Sequence, residues 1–228
     1  MSSVAIKKVE NVPTPRMPAS ERRELILGAA TVVFGERGYA GATTDQVARA
    51  AAISQPYVVR MFGTKENLFL EAMDRALAKL FTQFRAVIAA YDAGELGVQV
   101  AELDGDLLGT RAGELTGLLA RAYADLIQDR GILMVLMQSF VTGHEPVIGP
   151  RARAAFLALY RLVCDEAGLG SQEASDFLAQ GMLMNTLISL RLPEFYGSDA
   201  TADDLLECTL KSKLSIVLSA NRNQSTPN

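Results

Sequence analysis

Apolar residues recur along most of the chain three or four positions apart, which is the spacing of an α-helix, and no segment alternates as a half-buried strand would. The pattern therefore predicts an all-α protein. Ser20 is a suitable N-cap for the first helix, and Gly35 and Gly38 bracket its end. The apolar stripe of this helix consists of Leu25, Ile26, Ala29, Ala30, Val33 and Phe34.

Two short helices are predicted after the first. Thr43 and Gln46 have the spacing of a capping box, which starts a second helix that runs to about Ala51. A turn at Ala52 and Ile53 follows. Two short helices joined by a tight turn form a helix-turn-helix, whose second helix can enter the major groove of DNA.

The third helix has Ser54 as its predicted N-cap and Pro56 in its first turn, where a missing N–H costs little. It ends near Phe62, and Thr64 caps a long fourth helix. Residues 92–111 are rich in Gly and Asp and are predicted to form a loop. The total is about nine helices, because five more are predicted near 112–129, 131–143, 147–167, 172–191 and 201–219.

Charge is distributed unevenly along the 228 residues. The net charge is −4, yet residues 1–70 carry nine basic and six acidic side chains, and the remainder carries 13 basic and 20 acidic. Affinity for a polyanion depends on local charge, so a mildly basic end on an acidic body suits a protein that touches DNA with one end.

The composition also argues against a secreted, membrane-spanning or metal-binding protein. The first twenty residues contain no apolar segment of a signal peptide, and the longest apolar run is too short to span a bilayer, which together favour a cytoplasmic protein. The two cysteines are expected to be packing residues. We expect no cofactor and no metal, because one histidine cannot form a His-rich site and no phosphate-binding loop is present.

Four short motifs occur in one order between Arg22 and Leu70: Gly38-Tyr39, Ala42-Thr43-Thr44, Ala48-x-x-Ala51-x-Ile53-Ser54 and Phe62-x-x-Lys65-Glu66-x-Leu68. In this order and spacing the segment resembles the DNA-binding domain of the TetR (tetracycline-repressor) family. The third helix departs from the family, whose recognition helix often ends in an aromatic pair and a histidine before the Phe. Here that stretch is Tyr57-Val58-Val59-Arg60-Met61-Phe62.

Three prolines and the lack of an apolar period predict a flexible arm at residues 1–19, and a polar end predicts a flexible tail at 221–228. The resemblance implies a helix-turn-helix domain at 20–66 and a ligand-binding and dimerisation domain at 67–220. The resemblance and the chemistry of the side chains together indicate contacts to bases or phosphates. The alternative is that Arg60 and Lys65 are merely solvated charges. The expected DNA-binding residues are Thr43, Thr44, Ser54, Gln55, Tyr57, Arg60 and Lys65.

The body is expected to hold a ligand among apolar, methionine-rich helices. Buried polar groups there need partners that a ligand could supply, although all these residues could instead be ordinary core. Because the body is acidic, a neutral or cationic ligand is expected. The candidate pocket residues are Tyr123, Met134, Met137, Gln138, Phe140, Thr142, His144, Phe156 and Asn185.

Helices near 172–191 and 201–219 are expected to form the homodimer, as the resemblance implies. The first of these is apolar around most of its circumference, so it must be buried on more than one side. The residues expected at this interface are Phe177, Gly181, Met184, Leu206, Leu210 and Leu214.

The leading hypothesis is a homodimeric repressor that leaves a near-palindromic operator when a small hydrophobic or amphipathic ligand binds. A ligand-independent or activating regulator of the same fold is the first alternative. An all-helical enzyme is a remote one, because the sequence contains no credible nucleophile–base pair. A scaffold whose helix-turn-helix binds protein is the third.

Overall fold

The computed structural model describes residues 17–129 and 131–225, with side chains to residue 221. These residues form α-helices, short 3₁₀ turns and one π-helical turn, and the described parts contain no strand. The helices are α1 (Ala19–Gly41), α2 (Thr44–Ala50), α3 (Gln55–Phe62), α4 (Lys65–Asp92), α5 (Gly97–Ala101), α6 (Arg111–Asp125), α7 (Ile132–Val141), α8 (Ile148–Arg161), α9 (Ser171–Ser189), α10 (Ala200–Leu210) and α11 (Leu214–Ser225).

The all-α prediction is confirmed, but the described residues form eleven α-helices where about nine were expected. One addition is α5, inside the expected loop. The other arises because the helix expected over 201–219 is split at a 3₁₀ turn, Lys211–Lys213, where Lys211 has a left-handed φ of 47°. The predicted tail is also partly helical, since α11 continues to Ser225. Most of the predicted arm lies outside the described residues.

The local start signals of α2 and α4 are confirmed. The Thr43 side chain accepts a hydrogen bond from the Gln46 N–H at 3.2 Å, and the Gln46 side chain accepts one from the Thr43 N–H at 3.0 Å. Thr64 caps α4 in the same way, by accepting from the Asn67 N–H. The first helix differs from the prediction, because it begins at Ala19 behind Pro18 and leaves helical geometry at Gly38.

The turn between α2 and α3 contains a strained residue. Ala52 has a φ of 52°, in the left-handed region that costs a residue with a Cβ about 1–2 kcal/mol. Glycine removes this strain, but its greater flexibility in the unfolded chain makes folding cost more entropy. The net result of Ala52→Gly is expected to be a gain of about 0.5–1 kcal/mol in the free energy of unfolding. Thermal unfolding should show a melting temperature higher by about 1–3 °C.

The matched control for this prediction is Ala86→Gly, in the interior of α4 at an exposed position. Here glycine replaces a favourable helical alanine, so a loss of about 0.5–1 kcal/mol is expected. A destabilised Ala52→Gly protein would mean that residue 52 does not hold the left-handed conformation in solution.

We call α1, α2 and α3 the head, and the remaining helices the body. Helix α1 connects the two. It packs on α4 and α7, and the buried core continues from the head into the body without a break. Phe34 of α1 meets Phe69 of α4 edge to face, with ring centroids 5.0 Å apart. The head is therefore held by the body rather than tethered to it. Among the described helices none is both long and apolar enough to cross a membrane.

Candidate DNA interface and ligand cavity

The recognition helix α3 has one buried and one exposed face. Val58 and Phe62 are buried against the rest of the head, while Gln55, Val59 and Arg60 are exposed. Pairs four residues apart lie on one side of a helix, so Gln55 and Val59 share the outward surface. An amide, an apolar side chain and a guanidinium there match the three kinds of base-edge contact made in the major groove.

Tyr57 lies between two arginines. The Arg60 guanidinium carbon is 4.8 Å from the centroid of its ring, and that of Arg22, at the start of α1, is 5.2 Å away. Both distances are within cation–π range. Tyr57 is only half-exposed, so it supports the two cations rather than projecting beyond them. The structure thus adds Arg22, which sequence reasoning missed because it is 35 positions from Tyr57 along the chain.

The two predicted threonines have different environments. The Thr43 side-chain oxygen is occupied by the cap of α2, whereas the Thr44 hydroxyl accepts a hydrogen bond from the Gln55 amide at 3.4 Å. This contact brings the N-terminus of α2 beside the start of α3. Ser54 is the N-cap residue of α3, but its side chain makes no capping hydrogen bond. The exposed hydroxyl of Ser54 is therefore not committed to the helix end.

Lys65 is anchored within the protein. Its Nζ donates a hydrogen bond to the Tyr39 carbonyl at 3.0 Å and lies 4.6 Å from the centroid of the Tyr39 ring. These contacts tie the start of α4 to the end of α1. They fix the position of the ammonium group, so Lys65 has a structural contribution in addition to the expected phosphate contact.

The body contains a cavity that is open to solvent, in which the centres of water-sized spheres can occupy about 50 Å³; the space free of protein atoms, counted out to the solvent at its mouth, is about 790 Å³. Its wall is mainly aliphatic and aromatic. The lining side chains come from α4, α6, α7, α8, α9, α10 and the 3₁₀ turn after α10: Leu77, Leu80, Phe84, Ala120, Tyr123, Leu136, Phe140, Ala155, Phe156, Leu159, Phe177, Leu178, Gln180, Gly181, Met182, Met184, Thr209, Leu210 and Lys213.

Three of the expected pocket residues line this cavity: Tyr123, Phe140 and Phe156. The rings of Phe140 and Phe156 meet edge to face at 5.2 Å. Asn185 stands behind Tyr123, with its Nδ2 donating to the Tyr123 hydroxyl at 2.8 Å. Burial raises the pKa of Tyr123 to about 12, so the phenol is neutral. The two polar groups satisfy each other, which removes the need for a ligand as their partner.

The other expected pocket residues lie outside the cavity lining. Met134 packs at the contact of α7 with α1, Gln138 lies beside Gly38, and the Thr142 hydroxyl donates to the Gln138 carbonyl of its own helix at 2.7 Å. His144 is an exposed residue near Glu145. Met137 is half-buried but does not line the cavity. The described residues contain no cluster of His, Cys, Asp or Glu arranged to hold a metal ion.

Most residues expected at the dimer interface lie inside one protomer. Phe177, Met184, Leu206 and Leu210 are buried, and Leu214 is half-buried. A Cβ on Gly181 would lie 3.5 Å from the Tyr123 ring, which places this glycine in the cavity wall. The apolar pattern of α9 predicted that several sides are covered, but it did not show which side faces the protein's own core.

A helix-turn-helix held on an all-helical body defines a DNA-binding transcriptional regulator. Residues 26–72 match the family model described as "Bacterial regulatory proteins, tetR family". This segment is therefore similar to the DNA-binding domain of the TetR family, as the resemblance of the head indicated. The match supports a DNA-binding transcriptional regulator.

Two curated relatives are similar in sequence. The HTH-type transcriptional activator FasR of Mycolicibacterium smegmatis is 25% identical over 182 residues, which cover 77% of this chain and 74% of FasR. The HTH-type transcriptional regulator HbdR of Aromatoleum is 32% identical over 77 residues, 34% of each chain. The crystal structure of a TetR-like regulator from Rhodococcus sp. RHA1 shares the fold, with 19% identity, a TM-score of 0.50 and coverage of 92% of this chain and 98% of the other.

Proposed function

We propose that the protein binds a near-palindromic operator as a homodimer and leaves it when a small apolar or amphipathic molecule occupies the body cavity. The observation that carries the proposal is that the same two helices line the cavity and support the head. Leu77, Leu80 and Phe84 of α4 and two residues of α7 face the cavity, and α1 packs on both helices.

The contact of α7 with α1 is close enough to transmit a displacement. A Cβ on Gly131, just before α7, would lie 2.6 Å from the Thr31 carbonyl oxygen of α1, and one on Gly35 would lie 2.9 Å from the Cβ of Met134. Backbones packed this tightly cannot slide without moving each other. A ligand that shifts α7 would therefore reorient α1 and change the separation of the two recognition helices of the dimer.

In the proposed complex, α3 lies in the major groove. Gln55 would bind an adenine edge, Arg60 a guanine edge and Val59 a thymine methyl group. Thr43, Thr44, Ser54 and Lys65 surround this face at helix ends, where hydroxyl groups and cations suit phosphates. Tyr57 and Arg22 would hold Arg60 in place and add positive charge.

For the dimer we propose the exposed side of α9 and α10 in place of the buried residues. Leu183 of α9, Leu190 directly after that helix and Leu205 of α10 are 40%, 63% and 39% exposed. Large apolar side chains on neighbouring helices are typical of a surface that is covered in an assembly. A two-fold axis there would place the two heads on the same side of the DNA.

Two substitutions on α9 should show which of its residues form the dimer interface and which line the cavity. Leu183→Glu is expected to dissociate the dimer, because it would bury two carboxylates near the symmetry axis. Gly181→Leu is expected to leave the dimer intact, because it fills the cavity against Tyr123. Light scattering at micromolar concentration measures the mass. A dimeric Leu183→Glu protein would place the interface elsewhere.

The regulation could instead be activation, since the relative that matches most of the chain is named an activator. The same DNA and ligand contacts serve both outcomes. What distinguishes them is the position of the operator relative to the promoter, which transcription from the protein's own promoter with and without the protein would show.

The central experiment is a titration of labelled DNA from the protein's own promoter, compared with random DNA at several salt concentrations. Specific affinity should exceed random affinity by about a thousandfold or more. The proposal is contradicted if both DNAs bind equally, or if no salt dependence is seen.

A further inference from the structure

The cavity lining contains one charged side chain, Lys213. It belongs to the 3₁₀ turn between α10 and α11, and every other lining residue is neutral. A single charge in an otherwise apolar wall affects which ligands can enter, because burying it without a partner costs free energy. The following inference rests on the proposed ligand-binding function of this cavity.

The polar side chains of the wall other than Tyr123 come from α9, α10 and the turn after it, which also contribute apolar residues such as Phe177 and Met184. The contributions of α4, α7 and α8 are all apolar, and include Phe84, Phe140 and Phe156. Besides Tyr123, which is paired with Asn185, the polar side chains come from α9, α10 and the turn after it: Gln180, Thr209 and Lys213. The cavity is therefore mainly apolar, with three polar side chains that are not paired with Tyr123 confined to α9, α10 and the turn after α10.

The turn gives two neighbouring lysines different environments. Lys211 has a φ of 47°, and its exposed ammonium group lies 3.4 Å from the Asp106 carboxylate. Lys213 is half-buried, and no carboxylate of the described residues is in ion-pair contact with it. Burial lowers the pKa of Lys213, and the more distant charge of Asp104 opposes this effect only in part.

We propose that the cavity takes an amphipathic small molecule with an anionic head group, a carboxylate being the simplest, which binds Lys213. The apolar tail lies against α4, α7 and α8, and Gln180 and Thr209 supply hydrogen bonds to the head group. This assignment reverses the ligand charge expected from the acidic body, because the ligand meets the lining and not the average charge of the surface.

Three probes with the same chain and different head groups test the charge preference: decanoate, decylamine and 1-decanol. Each is titrated calorimetrically into the intact protein, below the concentration at which it aggregates. Decanoate should bind about tenfold or more tightly than decylamine, because a hydrogen-bonded ion pair replaces a repulsive contact. Equal or tighter binding of decylamine overturns the proposal.

Variants assign the preference to Lys213. Lys213→Met should lower decanoate affinity about tenfold while leaving 1-decanol affinity unchanged, and Lys213→Arg should preserve the preference. The matched control, Lys211→Met, removes a charge two residues away and should bind decanoate as the unmodified protein does. Unchanged decanoate affinity in Lys213→Met would mean that the ammonium group points to solvent, which overturns the proposal.

The same proteins distinguish this proposal from the proposed function. DNA affinity is measured with saturating decanoate and without it. If decanoate binds with the expected dependence on Lys213 but does not release DNA, the ligand class is supported and the release mechanism is contradicted. If another compound releases DNA and decanoate does not bind, the release mechanism is supported and the anionic ligand is overturned.

Discussion

Replacing Arg60 with alanine is expected to lower operator affinity about a hundredfold while leaving the protein folded. An arginine–guanine contact contributes about 1–3 kcal/mol of discrimination, and the proposed dimer would lose two of them. Arg60 is exposed and rests on the Tyr57 ring at 4.8 Å, so its removal disturbs no buried packing. Fluorescence anisotropy with operator and random DNA measures the change.

The control for Arg60→Ala is Arg121→Ala. Arg121 pairs with Glu102 in the body, so this variant has the same change in net charge far from α3. It should bind both DNAs normally. If Arg60→Ala instead weakens operator and random DNA equally, with a smaller salt slope, Arg60 contacts phosphate and not a base. Unchanged affinity for both DNAs would mean that Arg60 does not contact DNA.

Replacing Gly131 with alanine is expected to destabilise the protein by about 2–4 kcal/mol. Its φ is 89°, which costs a residue with a Cβ about 1–2 kcal/mol. The added Cβ would also lie 2.6 Å from the Thr31 carbonyl oxygen and 2.8 Å from the Val32 Cα, so α1 must move. Denaturant unfolding at a fixed protein concentration measures the loss of free energy.

Gly109→Ala is the matched control, because Gly109 has a φ of 92° with no heavy atom within 4 Å of an added Cβ. It should lose only the conformational part, about 0.5–1 kcal/mol once the lower flexibility of alanine in the unfolded chain is taken into account. The difference between the two variants therefore measures the close packing of α1 on α7. Equal losses would contradict this packing, and with it the route by which a ligand is proposed to move the head.

The head was predictable from sequence because its signals are local. The capping box joins residues three positions apart, and the motifs of the head occupy fewer than fifty consecutive positions of the matched segment. The stacking of Arg22 on Tyr57 was not predictable. Its partners are distant in sequence, and neither side chain has a pattern that requires the other.

In the body, the helical spacing of apolar residues predicted less than it did in the head. Within one protomer, α9 buries one stripe of residues and exposes much of its remaining surface. The spacing of its apolar residues predicted cover on several sides, which the protomer by itself does not provide. It could not tell which residues face the core, so Phe177 and Met184 were assigned to the dimer although they are buried within one protomer. Gly181 was assigned there too, although its neighbour is Tyr123.

The sequence by itself determined the all-α class, the helix-turn-helix and the similarity of the head to the TetR family, because each depends on residues that interact within a few turns of chain. Tertiary structure alone decided where the cavity lies, which helices connect it to the head, and the environment of Lys213. Helix α10 ends at Leu210 without a glycine or proline, and the turn Lys211–Lys213 that follows brings Lys213 into the cavity wall. Such a break is set by packing against distant helices, which local propensity does not encode.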